Sequence, residues 1–105
     1  MDMELNIEKK VEGGDTVRLI LCGRVDLVSS PKLLATLDEL FLSAVRTVTV
    51  DLSDVGEIDS AGIATLVEGL AWSRRSGGSF VLTGICSRVR DAFGLAKLEQ
   101  EFTVV

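Results

Sequence analysis

The chain has 105 residues, 16 acidic against 11 basic side chains, a formal net charge of −5, 47% hydrophobic residues and neither histidine nor tyrosine. That length suits one domain over residues 1–105 with a core that needs no covalent staples. The acidic balance argues against nucleic acid and anionic membrane surfaces as partners, and the missing imidazole excludes Ser-His-Asp and Cys-His nucleophile systems and a zinc site of ordinary ligand count.

Met1-Asp2-Met3-Glu4 carries acid where a secretory leader needs basic residues, and no stretch reaches the ~18 apolar residues of a membrane span. A cytoplasmic chain is the expectation. Leu5, Ile7 and Val11 alternate with Asn6, Glu8 and Lys10, which predicts a half-buried strand. Gly13-Gly14-Asp15 is a turn signal. Val17 to Cys22 is apolar except for Arg18, as in a strand covered on both faces, and the two strands form an antiparallel hairpin. Cys22 and Cys86 have no motif spacing. They read as buried small apolar side chains in a reducing compartment.

Ser29-Ser30-Pro31 opens a helix: a serine N-cap accepts from an orphan backbone N–H, and proline suits the first helical position. Leu33, Leu34, Leu37, Leu40, Phe41, Ala44 and Val45 follow at helical spacing, so the helix is amphipathic. Thr47 to Leu52 alternates as a strand, and Asp51 to Asp59 reads as a carboxylate-rich loop. From Ser60 to Arg75 the helical period returns, with Arg74 and Arg75 at the negative end of the helix dipole and Gly77-Gly78 as its stop. Phe80 to Leu82 is a short strand, Ser87 to Gly94 a short helix carrying Val89 and Phe93, and Phe102 to Val105 a closing strand.

The order β-β-α-β-α-β-α-β implies an α/β fold, a mixed, largely parallel sheet of four to five strands with amphipathic helices packed against it. Loops leaving parallel strands at their carboxy-terminal ends share a rim, where sites usually lie. The loops Gly23 to Ser30 and Ser53 to Asp59 therefore belong together.

Asp59-Ser60-Ala61-Gly62 stands where the second loop becomes a helix. Asp59 or Ser60 can cap the first N–H groups. A serine there is exposed and faces several amides, and Gly62 keeps the surface low enough for another protein's backbone. On spacing alone, a plain helix cap explains this segment. A phosphoaspartate receiver built on Asp51, Asp54 and Asp59 is disfavoured. The first strand ends without an acidic pair, and no Lys follows a later strand end. Trp72 covers the flank of the core or, if partly exposed, anchors an interface. Arg74, Arg75, Arg88 and Arg90 read as solvated faces. There is no glycine-rich phosphate loop with a Lys, so neither an enzyme nor a bound cofactor is expected.

From Gly23 onward the chain resembles the STAS domain family of bacterial anti-sigma factor antagonists. The resemblance rests on Gly23-Arg24-Val25-Asp26-Leu27, on VTVDLSDVGEIDSAG over 48–62, on the Gly77-Gly78 turn, on SRVRDAFGLAKL over 87–98 and on the strand opened by Phe102. It implies that Ser60 is phosphorylated by an anti-sigma factor that is also a serine kinase with a histidine-kinase-like ATPase fold. The unphosphorylated chain would bind that kinase and free a sigma factor, and a serine phosphatase would reset it. The implied partner surface comprises Asp26, Asp59, Ser60, Ala61 and Gly62, with no metal. Many members carry a second serine where this chain has Ala61, which leaves a single hydroxyl in the segment. The alternative is a constitutive STAS subunit of a transporter ATPase or signalling assembly.

Overall fold

The computed structural model describes residues 4–95 and 100–105. Met1-Asp2-Met3 of the leader reading and residues 96–98 of the 87–98 stretch lie outside the described residues. In chain order the elements are β1 (Asn6–Gly13), β2 (Thr16–Val25), α1 (Ser30–Phe41), β3 (Thr47–Ile58), α2 (Ser60–Ser76), β4 (Ser79–Thr83), α3 (Ser87–Leu95) and β5 (Thr103–Val104). They form one sheet in the order β1-β2-β3-β4-β5. The β1–β2 pair is antiparallel and the rest are parallel. The expected α/β architecture and element order are both found.

Each parallel step moves one place in the same direction, so right-handed crossovers bring all three helices to one face. The burial pattern of β2 shows it. Val17, Leu19 and Leu21 are buried, whereas Arg18 and Ile20 are half-buried and Cys22 is exposed. This corrects two expectations. The run from Val17 to Cys22 is covered on one face, and Cys22 is not a core residue. Cys86 is half-buried, its Sγ 3.6 Å from the Val55 carbonyl oxygen. On the edge strand β1 the half-buried expectation fails for Val11, which is exposed, while Ile7 packs against the core and Leu5, just before the strand, is fully buried.

The core is the layer between sheet and helices. Leu19, Leu21, Val48, Val50 and Leu52 meet Leu33 and Leu37 of α1, Leu66 of α2, and Val89 and Phe93 of α3. Each such side chain contributes roughly 1.5–3 kcal/mol on burial, which offsets the entropy of ordering the chain. Trp72 is 5% exposed and stacks on Phe41 with ring centroids 4.9 Å apart, so it seals the core and is no surface anchor. A Cβ on Gly69 would lie 2.3 Å from the Phe80 ring, so glycine there lets α2 lie directly on β4. Gly77 ends α2 in the left-handed region at φ 75°, as expected of a C-cap glycine. Gly94 does not close α3, which continues to Leu95. Among the described residues, no helix is long and apolar enough to cross a membrane.

Candidate functional site

The carboxylate-rich stretch after Leu52 is a strand, not a loop. β3 stays paired with β2 as far as Val25↔Ile58, with two register slips that each add one residue to β3. Its buried positions are Val48, Val50 and Leu52, then Val55 and Ile58. The inward period thus changes from two to three where each bulge inserts a residue. Opposite the second slip, Gly23 sits at φ 119°, a conformation that favours glycine. The bulges carry both strands to one common rim. There the Asp59 N–H donates to the Val25 carbonyl at 3.1 Å.

Beyond Val25 the chain turns through Asp26, Leu27, Val28 and Ser29 into α1. Asp26 Oδ1 accepts from the Val28 and Ser29 N–H groups, both at 3.0 Å, and from Ser29 Oγ at 3.2 Å. Ser29 Oγ accepts from the Asp26 N–H at 2.9 Å and shares its one proton between Asp26 Oδ1 and the nearer Arg24 carbonyl at 2.7 Å. The serine at the N-cap of α1 therefore does not cap the helix with its side chain, contrary to expectation. Its hydroxyl is committed to the turn, and Pro31 is the second helical residue rather than the first, still within the turn whose N–H groups lack intrahelical partners. The hydrogen bonds from the Ser29 N–H, the Ser29 hydroxyl and the Val28 N–H, helped by nearby Arg24, hold the Asp26 carboxyl below the ordinary carboxylate range against the opposing effect of burial.

Asp59 joins this turn to α2. Its Oδ1 accepts from the Gly62 N–H at 3.0 Å and caps the helix, while its Oδ2 accepts from the Leu27 N–H at 3.1 Å. Of the two candidate caps, Asp59 is the one used. Ser60 is thereby left as the first helical residue, exposed, and among the described residues no hydrogen bond holds its hydroxyl. Ala61 beside it is half-buried. Gly62 is buried, and a Cβ there would lie 2.6 Å from the Val25 carbonyl oxygen and 2.7 Å from Ile58 Cγ1. This corrects the reason given for Gly62: its missing side chain lets α2 seat on the strand ends rather than lowering the outer surface.

Two grooves flank the turn. One of ≈ 450 Å³ runs towards α3 and includes Arg24, Asp26, Glu57, Asp59, Arg88 and Asp91 in its lining. Within it Glu57 lies 3.4 Å from Arg24 and 3.6 Å from Arg88, whose side chain is 74% exposed, so Arg88 stands on a solvated face as expected. The other, ≈ 480 Å³, includes Arg24, Asp26, Val28 and Lys32, whose Nζ donates to the Leu5 carbonyl at 2.6 Å. Asp51 is directed elsewhere. Ser53 Oγ and the Ser53 N–H donate to it and lower its pKa against the opposing effect of burial, with Arg18 3.7 Å away adding to the lowering. Among the described residues, no group of three His, Cys, Asp or Glu side chains could hold a metal ion.

The structure thus brings together Asp26, Asp59, Ser60, Ala61 and Gly62, as the shared-rim argument required. It adds residues the sequence reading passed over. Leu27 is 73% exposed and Val28 88% exposed at the tip of the turn. Two consecutive aliphatic residues between Asp26 and a helix N-cap were the available signal.

Comparison with known proteins places this fold. The family model described as "Mlab, STAS domain" matches residues 9–105. The chain is similar to an anti-sigma-B factor antagonist of Listeria monocytogenes, 25% identical over 96 residues that cover 91% of this chain and 84% of that protein. Among solved structures it resembles the anti-sigma factor antagonist SpoIIAA in its unphosphorylated form, at TM-score 0.82 and 18% identity over 95% of this chain and 88% of that one. It also resembles the Bacillus cell fate determinant SpoIIAA in the phosphorylated form, at TM-score 0.75 and 17% identity over 95% and 91%.

Proposed function

The chain belongs to the STAS domain family, and on that premise we propose that it is an anti-sigma factor antagonist switched by phosphorylation of Ser60. The observation that carries the proposal is the Ser60 hydroxyl. It is exposed, released from capping duty by Asp59, and set on the same rim as the Asp26 turn. The unphosphorylated chain binds an anti-sigma factor that is also a serine kinase, and a sigma factor is released. Asp26, Asp59, Ser60 and Ala61 face that partner, with Gly62 seating the helix beneath them. This role places the chain in the cytoplasm.

The kinase step needs only an acceptor from this chain. Ser60 Oγ bonds to the γ-phosphorus of ATP, the bond to the β–γ bridging oxygen breaks, ADP leaves, and the hydroxyl proton passes to a base on the kinase. The chain supplies no catalytic group of its own. The product carries about −1.5 to −2 charges at the start of α2, where the helix dipole favours anions by about 0.3–1 kcal/mol. The fold therefore accommodates the modification. SpoIIAA, a relative in fold, has been solved in both unphosphorylated and phosphorylated forms.

Docking responds in the opposite sense. A kinase that reaches Ser60 Oγ holds its nucleotide phosphates against that hydroxyl, so a phosphoserine returning to the nucleotide-loaded kinase meets like charge. Each unit pair about 4 Å apart costs ~1 kcal/mol in water and ~4 kcal/mol at an effective dielectric of 20. Affinity falls by roughly tenfold to a thousandfold. A phosphatase that removes the group restores binding.

The test is intact-mass analysis of the full chain after incubation with ATP and the anti-sigma factor kinase, followed by titration. The expected result is one phosphate on the wild type and none on Ser60→Ala. Ser60→Ala should bind as tightly as the unmodified chain, and Ser60→Asp should bind more weakly with an unchanged melting temperature. Absence of the phosphate would favour a constitutive STAS subunit instead.

A further inference from the structure

The turn beside Ser60 combines features that a purely structural loop has no use for. Its backbone is held from several directions. Asp26 Oδ1 takes the Val28 and Ser29 N–H groups, the Asp26 carbonyl takes the Ser30 N–H at 2.8 Å, and Asp59 Oδ2 takes the Leu27 N–H. Yet the two side chains at its tip, Leu27 and Val28, stand in water at 73% and 88% exposure. A rigid turn that presents two aliphatic groups keeps the entropy cost of ordering them out of a binding event. The two grooves beside the turn share Arg24 and Asp26, and Val28 lines the one that includes Lys32. The groove towards α3 is lined by the carboxylates of Asp26, Glu57, Asp59 and Asp91 against the guanidinium groups of Arg24 and Arg88.

We propose that Leu27 and Val28 are the apolar anchor of the docking surface, and that the occupant is the anti-sigma factor kinase, entering with an apolar hollow rimmed by cationic side chains. The inference rests on the functional reading above and names the contact that reading leaves open. Continuity favours this occupant. The carboxylate that caps the helix carrying Ser60 also holds the backbone of Leu27, so the tip and the start of that helix are neighbours on one rim. Charge complementarity points the same way, since the chain carries a net charge of −5 and carboxylates outnumber cations in the groove towards α3.

The experiment measures affinity for the purified kinase that phosphorylates the wild-type chain, with Leu27→Ser/Val28→Ser and Leu42→Ser compared with wild type. Leu42 is 90% exposed and follows the far end of α1, a helix of 12 residues and so about 18 Å long. The double variant should bind about a hundredfold more weakly, as expected for two buried interface anchors. Its melting temperature should match the wild type, because exposed side chains contribute little to stability. Leu42→Ser should bind as wild type. Binding of the double variant within threefold of wild type would overturn the anchor, as would an equal loss in Leu42→Ser. If no kinase phosphorylates the wild type at Ser60, the functional reading falls and takes the anchor with it, an outcome recognisable before any variant is made.

Discussion

The two ends of α1 are held by different physics. At the amino-terminal end the helix enters from a turn secured by side-chain oxygens: Asp26 for Val28 and Ser29, Asp59 for Leu27. At the carboxy-terminal end Phe41 stacks on Trp72, and the neighbouring turns are closed by backbone bonds and by the uncharged Ser43 hydroxyl, which donates to the Leu40 carbonyl at 2.6 Å and accepts from the Val45 N–H at 3.3 Å. The Arg46 N–H donates to the Asp15 carbonyl at 2.8 Å, and the Ser79 N–H donates to the Arg46 carbonyl at 2.8 Å. Carboxylates hold the first end, and uncharged groups hold the second. The rim that carries Ser60 is tied together by the side-chain oxygens of Asp26 and Asp59 in an exposed turn.

The largest test of that division is Trp72→Ala. Removing a buried aromatic costs about 3–5 kcal/mol of unfolding free energy, measured by denaturant titration. The folded fraction should still accept phosphate on Ser60 at the wild-type rate. A selective loss of phosphorylation in molecules that remain folded would show that the two ends are coupled.

Asp59 sharpens the comparison at smaller scale. Asp59→Ala removes an N-cap and should cost about 1 kcal/mol. Asp59→Asn keeps an oxygen for the Gly62 N–H and should hold stability within a few tenths of a kcal/mol, because asparagine caps as well as aspartate. Its amide nitrogen, however, cannot accept from Leu27. Hydrogen exchange at the Leu27 amide should therefore rise in both variants, whereas only Asp59→Ala should melt earlier. Equal protection of that amide in wild type and Asp59→Asn would remove Asp59 as the tie between helix and turn.

The smallest expected effect is that of acid. The Asp26 carboxyl is held below its ordinary value of 3.8 by the Ser29 and Val28 bonds and by Arg24. A depressed native pKa adds stability that is present above the unfolded value and fades as pH falls through the native one. The Val28 and Ser29 amides should lose protection as pH drops below about 4, while the Phe41–Trp72 contact, which carries no titrating group, should not change over that range. Asp51 is shifted in the same direction by Ser53, so a global melting curve would mix the two groups. Amide-resolved exchange separates them, and Asp26→Asn should abolish the dependence at Val28 and Ser29.

Local patterns carried much of this protein. The 3.6-residue period of Leu33, Leu37 and Leu40 marked α1, and Gly77 after Arg74 and Arg75 marked the end of α2. The strand from Ser53 to Ile58 was hidden because bulges break the two-residue period on which strand recognition depends. The reading of Val17 to Cys22 erred for a different reason. An apolar run shows that a strand can tolerate burial, but whether helices cover one face or both follows from strand order.

Chain order alone sufficed for the α/β class, for the succession of elements, and for the meeting of the Asp26 and Ser60 segments on one rim, since parallel strands leave a sheet at the same edge. Folding in three dimensions decided the rest. Asp59 divides its two oxygens between Gly62, three residues away, and Leu27, 32 residues away. Gly62 is small for the sake of Val25 and Ile58, and Leu27 and Val28 are left uncovered. Periodicity and capping preferences report on neighbours within a few residues, whereas these features are set by which distant backbone groups the sheet brings within hydrogen-bonding reach.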